Sequence, residues 1–162
     1  MPNVSANQRD PIVILMAEDD PDDQKITRKA FDRAELRDRL FFVNDGQDLM
    51  DYLHRVGPYQ DRDRYPDADL VLLDLNMPRK DGRTALAEIR ADDGLRSLPV
   101  IAMTTSRAER DVEAAYSSGV NSFITKPAAF EELVAAVREL SAYWGGTVRL
   151  PRRVGNRFPP TS

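Results

Sequence analysis

No cysteine occurs among the 162 residues, which excludes disulfides and thiolate metal centres and suits a reducing compartment. Histidine is nearly as scarce: His54 stands alone, and beside Arg55 on an amphipathic stretch it reads as a surface residue rather than a phosphocarrier. Long apolar runs are absent too. The longest, Ile12 to Ala17, falls far short of the roughly 20 residues a spanning helix needs, so no membrane partner is expected. Basic residues are not in excess, 23 against 27 acids for a net charge of −4, which argues against generic nucleic-acid binding. Residues 1–10 lack the basic-then-apolar layout of a signal peptide and read as a disordered lead-in, so a cytoplasmic location is expected.

What is present suits one globular domain, with 41% hydrophobic and 31% charged residues. Leu70-Val71-Leu72-Leu73 is an unbroken apolar run and predicts a strand buried on both faces. Ile12 to Ala17 predicts another, and Leu40–Val43, Pro99–Met103 and Ser122–Thr125 predict three more. Helices are expected between them. The first opens at Pro21 with Asp22 and Asp23 near the positive end of its dipole, and Ile26, Ala30, Phe31 and Ala34 form its apolar face. The others run near Gln47–Arg55, Thr84–Ala91, Ala108–Ser118 (stopped by Gly119) and Ala129–Tyr143. The last carries Phe130, Leu133, Val134, Val137, Leu140 and Trp144 as one stripe. Gly57 to Asp69 reads as a long polar loop. Alternating strands and helices with continuous rather than alternating strands predict an α/β fold, a doubly wound five-stranded parallel sheet. Ligands of such sheets bind beyond the carboxyl ends of the strands.

Those ends carry the chemistry. Glu18, Asp19 and Asp20 follow the first strand, Asp74 the third, Thr104 the fourth and Lys126 the fifth. Carboxylates that converge repel, and a divalent cation relieves them; with no His or Cys nearby the ligands are hard oxygens, favouring Mg²⁺ or Mn²⁺ over zinc. A hydroxyl and one ammonium complete a phosphate site, in which an Asp can act as nucleophile. Bland readings exist for each residue. Asp74 alone could cap the next helix, Asp45 and Asp81 read as turn residues, and Lys126 alone could be a surface lysine. Pro127 follows Lys126 at a strand end, which marks the placement and makes that bond a candidate cis peptide.

The acidic cluster, Asp74-Leu75-Asn76-Met77-Pro78 with Asp81-Gly82, Thr104 and Lys126-Pro127 together resemble the receiver domains of two-component response regulators. The resemblance runs from about Pro11 to Trp144. It implies a flavodoxin-like sheet of order 2-1-3-4-5 and a domain over 11–144, with 145–162 as a tail or arm. It also implies Asp74 as phosphoacceptor, and Mg²⁺ held by Glu18 through water, by the Asp19 and Asp74 carboxylates and by the Asn76 carbonyl. Thr104 and Lys126 would contact the phosphoryl group with Thr105 beside them, and Thr104 with Phe123 would form the switch. Asp20 departs from the Asn common in relatives. A finer similarity, to stand-alone regulators that pair with bacterial phytochromes, rests on the insertion at 57–67, Thr104-Thr105-Ser106, Gly119-Val120-Asn121-Ser122, Tyr143-Trp144 and Leu150-Pro151.

The implied function is a signalling switch, not an enzyme, phosphorylated by a histidine kinase, with a phytochrome as the expected one. A phosphate sink is the alternative; a Mg²⁺-dependent phosphohydrolase of the haloacid-dehalogenase kind is disfavoured, because Asn76 stands where that class needs an acid/base Asp. Nothing after Trp144 is long enough for an output domain. A homodimer is therefore expected through the fourth helix, fifth strand and fifth helix, where Phe123, Tyr143 and Trp144 gather. The tail, with Val148, Leu150, Val154 and Phe158, would lie along a neighbour as a supporting arm. Its Arg149, Arg152, Arg153 and Arg157 read as a solvated arm rather than a nucleic-acid contact.

Overall fold

A computed structural model of the chain describes residues 11–77, 79–105 and 108–151. The expectations placed on residues 1–10, Pro78, Ser106, Arg152, Arg153, Val154, Arg157 and Phe158 lie outside these residues. In chain order the elements are β1 (Val13–Ala17), α1 (Pro21–Arg33), β2 (Arg39–Val43), α2 (Gly46–His54), β3 (Leu70–Leu73), α3 (Gly82–Ala91), β4 (Val100–Thr104), α4 (Glu109–Ser118), β5 (Ser122–Thr125) and α5 (Phe130–Ala142). The five strands form one parallel sheet of order β2-β1-β3-β4-β5.

Period-two alternation divides the core between the two faces of that sheet. Leu15, Ala17, Val71, Leu73, Val100 and Ala102 point to one side, where Leu49 and Leu53 of α2, Leu86 and Ile89 of α3 and Ala115 of α4 cover them. Ile14, Met16, Leu70, Leu72, Ile101 and Met103 point to the other, against Ala30 and Phe31 of α1 and Leu133, Val134 and Val137 of α5. Because both faces are covered, no polar residue interrupts β3, and all four of its side chains are fully buried. Burying each such side chain contributes about 1.5–3 kcal/mol relative to leaving it exposed.

Three helices start on an aspartate whose carboxylate accepts from the first turn: Asp20 from Asp22 N–H, Asp45 from Asp48 N–H and Asp81 from Thr84 N–H. Gly119 ends α4 at φ 106°, a left-handed cap that a side chain would strain. The stretch expected as a polar loop holds a 3₁₀ turn, Gly57–Gln60, and is packed rather than loose. Tyr59 and Tyr65 meet edge to face at 4.9 Å and both lie against Tyr52. The Tyr52 hydroxyl donates to the Pro66 carbonyl at 2.6 Å, and Arg55 pairs with Asp67. Three expectations fail. Phe130 does not join the buried stripe of α5: at the helix's first position it is 37% exposed, and Leu133, Val134, Val137 and Leu140 face the core. Ile26 is not inward: its side chain is 44% exposed, and Thr27 takes the buried position, because α1 turns the Thr27–Ala30–Phe31 stripe to the sheet. No described peptide bond is cis, so Lys126–Pro127 is trans, the form favoured even before proline. After α5 the chain makes a wide π-helical turn, Tyr143–Thr147, and Trp144 and Leu150 pack against the α1/α5 side of the core.

Candidate functional site

Parallel register brings the polar strand ends to one edge. Ala17 pairs with Leu73, Leu73 with Ala102 and Thr104 with Thr125, so Glu18, Asp74, Thr104 and Lys126 all emerge there. Backbone bonds extend the ladder past the strands: Asp74 N–H donates to the Ala17 carbonyl at 3.1 Å and Lys126 N–H to the Thr104 carbonyl at 2.7 Å. The edge is an open hollow of about 240 Å³, lined by Glu18, Asp19, Asp20, Asp23, Asp74, Asn76, Thr104, Thr105 and Lys126.

Charge in this hollow is unbalanced. Carboxylate oxygens of Glu18, Asp19 and Asp74 lie within 4.8 Å of one another. The Lys126 ammonium lies 2.5 Å from Glu18, 3.2 Å from Asp23 and 3.5 Å from Asp74. Glu18 is buried, and burial pushes its carboxyl above the usual range despite the hydrogen bond from Lys126. Burial alone would lower the Lys126 ammonium, but the Glu18 bond and the charges of Asp74, Glu18 and Asp23 outweigh it and hold the proton firmly. One ammonium against this many carboxylates leaves room for a hard divalent cation, and the all-oxygen donor set fits one. Asn76 sits at the rim; its N–H donates to Asp74 at 3.0 Å and its side-chain oxygen accepts from Arg83 at 3.3 Å.

The loop carrying Asp74 and Asn76 is held from two sides. Gly46 N–H donates to the Lys80 carbonyl at 2.8 Å, and a Cβ at Gly46 would stand 2.3 Å from that oxygen. Arg79 forks onto both oxygens of Asp45 at 2.6 and 2.9 Å, and Lys80 pairs with Glu88 at 2.7 Å. Gly82 packs its α-carbon against the Asp74 peptide and donates to the Leu75 carbonyl at 3.1 Å. Such a carboxylate-bearing loop, with cation-ready acids, a hydroxyl and a lysine at the edge of a 2-1-3-4-5 sheet, suits phosphoryl transfer.

The response regulator receiver domain pattern matches residues 14–138. The chain belongs to this family. Response regulator Rcp1 of Synechocystis sp. is 36% identical over 91% of this chain and 99% of its own length. Among solved structures, response regulator RPA3017 in red light signaling of R. palustris is 40% identical, covers 88% of this chain and 99% of its own, and superposes with a TM-score of 0.83. The phosphorylated cyanobacterial phytochrome response regulator RcpA is 35% identical over 88% of this chain and 100% of its own, with a TM-score of 0.79. Receiver domains bind a divalent metal at their acidic pocket, and Rcp1 has been solved in an Mn²⁺-bound form.

This receiver domain brings Glu18, Asp19, Asp74, Asn76, Thr104 and Lys126 around one hollow. Phe123 stands apart from it, opposite Ala102 on β5, on the same sheet face as Thr104 and two positions short of Thr104's partner Thr125. Sequence reasoning missed Asp23, taken only as a helix-opening acid. The signal was its place three residues after the cap Asp20, since side chains in a helix's first turn lean back toward the N-terminus. It also missed the Asp45–Arg79 clasp, which joins loops 34 residues apart and leaves no local trace.

Proposed function

We propose that this receiver domain is a signalling switch in which Asp74 accepts a phosphoryl group from a histidine kinase, with Mg²⁺ held by Glu18, Asp19, Asp74 and the Asn76 carbonyl. The observation that carries the reading is the convergence of three carboxylates and one lysine on a single hollow at the sheet edge. A bound Mg²⁺ would neutralise phosphoryl oxygens as charge builds on them. The chain's own residues do the rest. An Asp74 carboxylate oxygen attacks phosphorus, the bond from phosphorus to the donor breaks, and the donor leaves with the electron pair. Lys126 meets the charge on the transferred group, and the Thr104 hydroxyl donates to one of its oxygens. The buried position of Asp74 limits water around the product.

The proposed kinase is a phytochrome, which the red-light and phytochrome relatives support. Turnover as a phosphohydrolase lacks its acid/base Asp, because Asn76 occupies that place with its side-chain oxygen turned to Arg83. The readout proposed runs from Thr104 to Phe123. Once Thr104 turns toward a phosphoryl oxygen, it leaves space on the sheet face it shares with Phe123, whose N–H donates to the half-exposed Tyr116 hydroxyl at 3.2 Å. The surface that would carry the signal is the face of α4, β5 and α5, proposed as a homodimer interface. Tyr116 and Tyr143 are half exposed there, and β5 is the edge strand of the sheet. The tail's root turns inward, with Leu150 against the chain's own core, so any arm toward a neighbour begins beyond it.

The deciding experiment is labelling with acetyl phosphate and Mg²⁺. The wild type should gain one phosphoryl group, Asp74→Asn none, and excess EDTA should suppress the reaction. Labelling that survives in Asp74→Asn or in EDTA sinks the assignment.

A further inference from the structure

The Lys126 ammonium has three N–H donors, and three carboxylates stand around it. They differ in what losing the lysine would cost. The Glu18 side chain is 1% exposed and that of Asp74 10%, so either would be left as a buried charge. The Asp23 side chain is 41% exposed and returns to water at little cost. Asp23 also sits on α1, and with Lys126 it lines both the acidic hollow and the apolar cleft formed by Ile26, Thr27 and Phe130. The pair is therefore the wall between the two, and it draws the ammonium toward α1.

We propose that Asp23 is a positioning residue for Lys126: it holds the ammonium toward α1 in the unphosphorylated chain and competes with an incoming phosphoryl group for it. The proposal rests on Asp74 being the phosphoacceptor. A phosphoryl group on Asp74 needs ammonium donors, and Asp23 is the partner that yields one. Asp20 supplies the internal comparison. It lines the same hollow and carries the same charge, but its carboxylate caps α1 by accepting from Asp22 N–H at 2.8 Å. Asn caps a helix as well as Asp does, so Asp20→Asn removes a charge without disturbing the fold.

The test titrates the full chain with beryllofluoride, a phosphoryl analogue, at fixed Mg²⁺, following the Lys126 side-chain NMR signals. Asp23→Asn should bind the analogue roughly two- to fivefold more tightly, the scale of a half-exposed ion pair. Its Lys126 signal, before the analogue is added, should already be displaced toward the bound position. Asp23→Ala should behave alike, and Asp23→Glu should return toward wild type. Asp20→Asn, which removes the same charge from the hollow but from a residue not paired with Lys126, should tighten binding clearly less than Asp23→Asn does and leave the Lys126 signal in place. An equal gain in Asp20→Asn would reduce the effect to general charge and overturn the proposal, as would unchanged or weaker binding in both Asp23→Asn and Asp23→Ala. A wild-type chain that takes no analogue defeats the reading of Asp74 instead; normal wild-type binding with an indifferent Asp23 defeats only this inference.

Discussion

Gly82→Ala tests how the site is held, because Gly82 touches the peptide of Asp74, the proposed phosphoacceptor. An added Cβ would stand 2.4 Å from the Asp74 carbonyl oxygen and 2.7 Å from the Leu75 α-carbon. Ordinary contact begins near 3.4 Å, so the overlap is about an ångström, and against backbone, which cannot rotate aside. Overpacking of this kind costs about 1–3 kcal/mol, and the gain in helix propensity from Gly to Ala returns at most about 1 kcal/mol at the first position of α3. A net loss near 2 kcal/mol should appear as a lower urea midpoint at unchanged slope. The larger effect should be functional. The overlap is relieved only by moving the Asp74–Leu75 backbone, and a misplacement of about 1 Å costs on the order of 100-fold in rate. Phosphorylation by acetyl phosphate, measured without urea where the variant is folded, should fall by one to two orders of magnitude. Gly94→Ala is the control: its Cβ meets only the Asp92 side chain at 3.4 Å, so stability should stay within about 0.5 kcal/mol and the rate should not change. A Gly82→Ala protein as stable and as reactive as wild type would refute the reasoning.

Three further outcomes are expected. A kinase is expected to dock on the apolar cleft of Ile26, Thr27 and Phe130, where Ile26 is 44% exposed; Ile26→Ser, which adds no charge beside Lys126, should slow phosphotransfer from a kinase that labels the wild type by about tenfold and leave acetyl phosphate labelling intact. Equal slowing with both donors would show a damaged site rather than a docking surface. The second concerns acid. The Asp81 carboxyl is held below its ordinary value of 3.8 by the Thr84 N–H; burial would raise the Asp45 carboxyl, but Arg79 and the Asp48 N–H outweigh it and lower it too. Both contributions are present above the unfolded value and vanish as pH falls through the lower folded values, so urea midpoints should drop below about pH 4. Asp81→Asn, which keeps the cap, should flatten that decline, and an unaltered acid limb would contradict it. Third, light scattering at tens of micromolar should find a homodimer that Tyr143→Glu weakens, since Tyr143 is 51% exposed at the end of α5. A wild-type monomer, phosphorylated or not, excludes the dimer.

The sequence by itself determined the class of fold and the kind of chemistry. Continuous apolar runs such as Leu70–Leu73, short and bounded by turn residues, read as strands buried on both faces, and the acids, threonine and lysine that end those runs share an edge once the strands lie parallel. Local signals also carried the helix starts, because Asp20, Asp45 and Asp81 act within their own first turn. Strand order came with the family resemblance, not from the residues. Only the tertiary structure decided how the site is braced and neutralised. Arg79 meets Asp45 across 34 residues, Lys126 meets Asp23 across 103, and the tyrosines of a stretch that reads as polar close on Tyr52. Ile26 shows the same limit in reverse: helical period placed it near an apolar stripe, and the rotation of α1 against the sheet turned it outward. Periodicity and capping are properties of neighbouring residues, whereas ion pairs and helix rotation are settled by distant elements that compete for the same space and charge.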